Sequence, residues 1–278
     1  MNRIATGRKG SRGPSGRGTF KYSDPADNHV VSPGREQALD AFIHQSYGGM
    51  QHKLRNAHSS NSEDALTWSF FDVLAQAPES IRAEALADLW ELAFGTRVAP
   101  NGVLTGTIRI GAAYGVGEST EVDASIEGPG VVVFIEAKLY APMSGADPLK
   151  AKPHNQIERK LRVGLREASA RKSAFYFILL DIAPLEALRS LKPGATLAEA
   201  TRSRASGFAA KWLTAYWFAR YKYGSRGSHA PLQKLIADAG LPHVNATDIA
   251  ARMGWLTWAD VSKIVLRTAI KAPSGAAS

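Results

Sequence analysis

Apolar residues change their spacing four times along this chain, twice from helical to strand-like and twice back. From Arg35 to about Ala57, Ala38, Leu39, Phe42, Ile43, Tyr47 and Met50 recur at roughly helical intervals, interrupted by Gly48-Gly49. Leu66, Phe70, Val73 and Leu74 make the next helical stripe. Ser60 and Glu63 fit a Ser-x-x-Glu capping box at its start, and Pro78 lies just past its end. A second helix is expected from about Ser80 to Phe94, with Ile81, Ala85, Leu86, Leu89 and Phe94 inward and Gly95 as its stop.

Strand patterns follow. Val103 to Ala113 alternates loosely, and the glycine-rich run Gly111 to Gly117 reads as a turn. Glu121 to Ile126 alternates strictly, with Glu121, Asp123 and Ser125 on one side and Val122, Ala124 and Ile126 on the other. Gly128-Pro129-Gly130 then predicts a hairpin turn into a continuous apolar strand, Val131 to Ile135, which ends in Glu136-Ala137-Lys138. His154 to Ala170 is expected to be helical, with Ile157, Leu161, Leu165 and Ala168 inward and the basic residues outward. Ala174 to Asp181 reads as another buried strand.

Beyond Pro184 the pattern is helical throughout: an aromatic stretch from Phe208 to Tyr223, then about 230–239, 246–253 and 257–271. The aromatic stretch carries Lys211, Arg220 and Lys222, a mixture able to stack bases, although such a stripe is more often helix core. Residues 1–33 are rich in Gly, Ser, Arg and Pro, have no hydrophobic period and read as a disordered basic tail. The organisation expected is therefore this tail, an α/β domain over 34–182 with its core at about 60–182, and a helical C-terminal extension over 183–278.

Composition narrows the function. Of 278 residues 45% are apolar, enough for a sizeable core, and no apolar run reaches the length of a membrane span. No apolar leader of secretory type is visible, so a cytoplasmic protein is expected. Cysteine is absent, which excludes disulfides, thiolate zinc sites and cysteine nucleophiles. No P-loop, dinucleotide fingerprint or GxSxG motif is present, and the histidines show no paired metal spacing. The net charge of +9 favours a polyanionic partner, nucleic acid being the commonest. Six basic residues and no acidic one lie between Met1 and Tyr22, which suits a solubilising leader or a DNA-contacting arm equally.

The chemistry concentrates at the hairpin. Residues two apart on a strand share a face, so Glu136 and Lys138 project together. If Pro129-Gly130 forms the tip of the turn, Asp123 lies opposite Glu136, whereas a three-residue loop would shift the pairing by one. Two carboxylates with an ammonium beside them suit Mg²⁺ or Mn²⁺, hard ions that polarise a phosphoryl oxygen and acidify bound water. The pattern of Asp123 followed after a hairpin by Glu136-x-Lys138 resembles the PD-(D/E)XK nuclease superfamily, also called restriction-endonuclease-like. Val122 stands where that family usually has proline. The order helix, three strands, helix, strand over roughly 60–182 also resembles the family's core.

That resemblance implies an α-β-β-β-α-β fold with a mixed four-stranded sheet flanked by helices. It further implies metal-dependent hydrolysis of phosphodiester bonds, DNA being the expected substrate in a restriction, repair or anti-phage setting. Asp123, Glu136, Glu63 and the carbonyl of Ala137 would be metal ligands, with Lys138 positioning water or stabilising the pentacovalent state. Gln156 would support the site from the helix after the strand. Asp64 rivals Glu63, and capping alone accounts for Glu63 as well. Arg159 as a phosphate contact and Glu121 as a further ligand are weaker candidates than solvated charges. The alternative is a catalytically inactive nucleic-acid-binding or assembly module of the same fold; a third option is a protein partner or a second copy bound through the C-terminal helices, with the nuclease as effector.

Overall fold

The computed structural model describes residues 3–5, 20–22, 24–46, 51–139, 155–190, 207–224 and 228–272. It is an α/β protein whose five-stranded mixed sheet is flanked by helices on both faces. The sheet comprises β3 (Thr107–Tyr114), β4 (Thr120–Gly128), β5 (Val131–Ala137), β6 (Ala174–Asp181) and β7 (Met253–Thr257), in that spatial order. β3, β4 and β5 are antiparallel neighbours; β5, β6 and β7 run parallel. Every residue of β5 is buried, as expected for a strand covered on both faces, which explains its unbroken apolar run.

One face carries α6 (Gln156–Ala170), α8 (Gly207–Lys222), α9 (Ala230–Asp238) and α10 (Ala246–Ala251), which close over Val132, Phe134, Phe177 and Leu179. The other carries α3 (Glu63–Gln76), α4 (Glu79–Phe94) and α11 (Trp258–Lys271), over Val131, Val133, Ile135 and Leu180. α6 is the crossover joining parallel strands β5 and β6. Two short helices, α1 (Glu36–Ile43) and α2 (His52–Ala57), pack with Trp68 of α3 as a smaller third cluster. α5 (Asn101–Leu104) and α7 (Leu185–Ser190) are single-turn pieces.

Several expectations are corrected. The sheet has five strands, because Met253–Thr257, expected to divide between two helices around Gly254, extends along β6. Glycine suits that strand: a Cβ at Gly254 would lie 3.0 Å from both Ala93 Cβ and Ala93 O of α4. The C-terminal part is thus not simply a helical extension. It supplies an edge strand and a helix that cover the sheet.

At the other edge, Asn101–Leu104 is helical and β3 begins at Thr107. Gly111 to Tyr114 belong to β3 and not to a turn. Within the stretch read as a structureless tail, Arg3–Ala5 (β1) pairs with Phe20–Tyr22 (β2). Asn28 Nδ2 donates to the carbonyls of Ala57 and Ser59, and Val30 N donates to Ser69 Oγ. The α3 cap is Ser62, whose hydroxyl accepts from Ala65 N, not Ser60. Glu63 is therefore the first helical residue, and its carboxylate does not reach back as a capping box.

In the aromatic stretch of α8, Trp217, Phe218 and Tyr221 are buried in the core, whereas Tyr223, just past its end, is exposed; the side chains of Phe208 and Trp212 lie outside the described residues. Lys211, and His154 ahead of α6, lie outside the residues whose side chains are described. Among the described residues no helix is long and apolar enough to cross a membrane.

Candidate active site

The hairpin turn is a two-residue one, with Gly128 paired to Val131 and Ala124 to Ile135. The same register sets Asp123 opposite Glu136 at the end of the hairpin remote from the turn. There the alternation of β3 and β4 breaks. Ile108, Ala124 and Ile126 face α3 and α4, while Tyr114 and Val122 face α6. Both strands change face around Gly111 and Asp123, so Val122 does not share a side with Ala124 and Ile126 as strict alternation predicts. Gly111 makes this twist possible. Its φ is +64°, and a Cβ there would stand 2.8 Å from Phe42 Cε2 and 3.0 Å from Lys53 Nζ.

Three elements converge on this point. The α3 N-terminus brings Glu63, whose Oε2 accepts from Leu139 N at 2.6 Å and whose Oε1 accepts from Lys138 Nζ at 3.1 Å. The end of β5 brings Glu136, Ala137 and Lys138. Asp123 Oδ2 accepts from Ala137 N at 2.7 Å, tying the two hairpin arms together. Lys138 Nζ lies 2.9 Å from Glu136 Oε1 and donates to the Ala137 carbonyl at 2.6 Å. Its backbone is pinned from both sides: Lys138 N donates to Leu180 O, and Trp258 Nε1 donates to Lys138 O. Strand β6 and helix α11 therefore set where the β5 terminus ends.

The third element is α6. Lys160, 1% exposed, pairs with Glu136 Oε2 and donates to the carbonyl of Glu121 at 2.7 Å. Sequence reasoning placed the basic residues of this helix outward, yet Lys160 and Arg162 are buried. A signal existed: Ile157, Lys160, Leu161, Gly164, Leu165 and Ala168 follow helical spacing on one face, so Lys160 interrupts an apolar stripe. Gln156 opens α6 one turn earlier, half-buried and on the same face. Arg159 has a buried Nε with no hydrogen bond among the described residues.

Lys53 of α2 was also missed. It is buried, pairs with Glu121, donates to Gln45 Oε1 at 3.1 Å and sits 4.6 Å from the Phe42 ring centre. Glu121 is thereby engaged by a lysine and is not a solvated charge. Nothing in the short polar run around Lys53 marks it in the sequence.

The cluster gathers the carboxyls of Glu63, Asp64, Glu121, Asp123 and Glu136 around Lys53, Lys138 and Lys160, an excess of acid over base. Its electrostatics follow. Burial, then the neighbouring Asp123 charge, pushes Glu136 up to about 7. Burial and the same neighbour push Asp64 up to about 7. Glu63 is raised by burial, against the pull of Lys138. Asp123 goes the other way: burial opposes its charge, but Lys160, Lys138 and the Ala137 N–H hold it below the usual carboxylate range. Burial likewise opposes the Lys138 charge, and Glu136, Glu63 and Asp123 more than offset this, raising it. One fold thus separates an ionised aspartate from two neighbouring carboxyls, Asp64 and Glu136, pushed up to about 7, the division that acid–base sites use.

The donor set is all hard oxygen, which fits Mg²⁺ or Mn²⁺. Both Glu136 oxygens are buried and each is paired with a lysine, Oε1 with Lys138 and Oε2 with Lys160. Among the described residues no group of three acidic or histidine side chains is already arranged as a metal cage. The lysine ammonium groups stand between the carboxylates instead. Comparison with family models, with curated proteins and with solved structures finds no match for this chain.

Proposed function

We propose that this protein is a metal-dependent nuclease that hydrolyses phosphodiester bonds, in DNA in the first instance, on a core of restriction-endonuclease type. The reading is carried by one observation: Glu63, Asp123 and Glu136 come from three separate elements to surround the ammonium of Lys138 at the end of a buried strand. Burying so many carboxyls together is costly unless cations offset them. The element order α3, α4, α5, β3, β4, β5, α6, β6 adds support, since it contains the helix–three strands–helix–strand series of that core. The net charge of +9 suits a polyanionic substrate.

In this reading Asp123, Glu136, Glu63 and the carbonyl of Ala137 hold one or two Mg²⁺, which when bound polarise a phosphoryl oxygen and acidify water. Asp123, kept ionised by the lysines, is the permanent anion of the set. Lys138 orients the attacking water or stabilises the charge that develops on the phosphoryl oxygens. Gln156 and Lys160 support the site from α6. Purified protein is expected to cut plasmid DNA with Mg²⁺ and not with EDTA, and Lys138→Ala to abolish cutting while leaving the circular dichroism spectrum and melting curve of a folded protein. Strong residual cleavage by that variant removes Lys138 from the mechanism.

A second reading, a nucleic-acid-binding module without turnover, is favoured by the lysines that already neutralise the carboxylates and by the lack, among the described residues, of three acidic or histidine side chains arranged for a metal. Magnesium-independent DNA binding with no cleavage of linear, circular or single-stranded substrates would select it.

A further inference from the structure

Two lysines hold the two oxygens of Glu136, Lys138 on Oε1 and Lys160 on Oε2. Their other contacts differ in kind. Lys138 Nζ reaches Glu63 Oε1 at 3.1 Å and the Ala137 carbonyl at 2.6 Å. Together with Glu136 Oε1, all three contacts are oxygens of the proposed metal-binding set. The ammonium group is ringed by them as a small cation would be. Lys160 Nζ pairs with one oxygen of that set, on Glu136, and its charge also helps to keep Asp123 ionised, while its hydrogen bond goes to the main-chain carbonyl of Glu121, fixed by the β4 backbone.

Their anchoring separates them too. The Lys160 stem rises from the apolar stripe of α6 between Ile157 and Leu161, and withdrawal would leave an ammonium in the core. Lys138 is itself buried, at 6% exposed, but it follows the last residue of β5 with its backbone held by Leu180 O and Trp258 Nε1, so rotation of the side chain alone moves its ammonium.

We infer that these lysines have separate tasks: Lys160 is a fixed positioning residue for Glu136, and Lys138 is an exchangeable counter-ion that leaves its three oxygens when a divalent cation binds. The inference rests on the metal-dependent reading above. Mg²⁺ binds oxygen at about 2.0–2.1 Å. It therefore needs the same lone pairs that Lys138 now uses, and the two like charges exclude each other. The arrangement holds the carboxyl cluster together without metal. It also couples loading to chemistry, since the amine becomes available to an anionic substrate group only once a cation has replaced it.

The test is amine footprinting of the full chain by reductive methylation, read by mass spectrometry with and without Mg²⁺, alongside Mn²⁺ binding to wild type, Lys138→Met and Lys160→Met. Lys138 is expected to be protected without metal and to label severalfold faster at saturating Mg²⁺, with Lys160 protected in both states. An adjacent charge shifts the affinity of a carboxylate for a cation such as the proton by roughly one to three powers of ten. Lys138→Met should therefore bind Mn²⁺ at least about tenfold more tightly than wild type.

Lys160→Met should bind no more tightly than wild type, and Lys160→Arg should recover the cleavage that Lys160→Met loses. Unchanged Lys138 labelling at saturating Mg²⁺ overturns the exchange. So does equal tightening by both methionine variants, which would reduce the effect to net charge. Failure of wild type and both variants to bind Mn²⁺ at all overturns the metal reading itself, and the inference with it.

Discussion

Gly111 offers the most direct check on how the fold builds the site. Its φ of +64° lies in the left-handed region, and an added Cβ would meet Phe42 Cε2 at 2.8 Å, Lys53 Nζ at 3.0 Å and Gln45 Oε1 at 3.1 Å. Gln45 also donates to Gly111 O at 2.8 Å, so the neighbours cannot all retreat without breaking contacts. Gly117 is the natural control, with φ +80° and open space around it. Alanine at Gly117 should cost only the left-handed backbone strain, about 1 kcal/mol. Alanine at Gly111 adds overpacking of about 1–3 kcal/mol, giving a total of roughly 2–4 kcal/mol. Urea unfolding of both variants at constant m measures the difference from the midpoints. Gly111→Ala should also reduce cleavage more than Gly117→Ala, because the twist that turns Asp123 toward Glu136 passes through this residue. If the two substitutions destabilise equally, the close approach of Phe42, Lys53 and Gln45 does not constrain the twist and the reasoning fails.

Two further outcomes follow. An acid whose pKa is raised on folding keeps its proton longer in the folded than in the unfolded chain, so its contribution is fully present below the unfolded value and is lost as pH rises through the folded one. For Asp64, ordinarily near 3.8 and raised to about 7, that window is about pH 4–7. Metal-free wild type should lose stability relative to Asp64→Asn across it, measured by chemical denaturation at several pH values; parallel curves would show that Asp64 titrates normally. Ser62→Ala should cost about 1 kcal/mol through loss of the α3 cap, with a smaller effect from Ser60→Ala; the reverse order would restore the capping box to Ser60 and Glu63.

Much of this protein was legible in its sequence because the relevant physics is local. The Gly128-Pro129-Gly130 signal placed the hairpin turn but left two registers open, and the structure has the two-residue one, with Gly128 paired to Val131 and Ala124 to Ile135. The continuous apolar runs of β5 and β6 announce burial on both faces. Other features depended on residues far apart in the chain. Met253–Thr257 becomes a strand because the edge of β6 is available to it, a condition invisible in its own composition. Lys160 and Lys53 are buried against propensity because carboxylates from β4 and β5 meet them there. The change of face at Gly111 and Asp123 arises from helices packing on opposite sides of the two halves of one hairpin. Short-range pattern thus determined the central hairpin strands, the helices around them and the candidate acids, but not the edge strand Met253–Thr257. Tertiary packing alone decided which bases neutralise them, since a buried charge takes its partner from whatever the fold brings within a few ångströms.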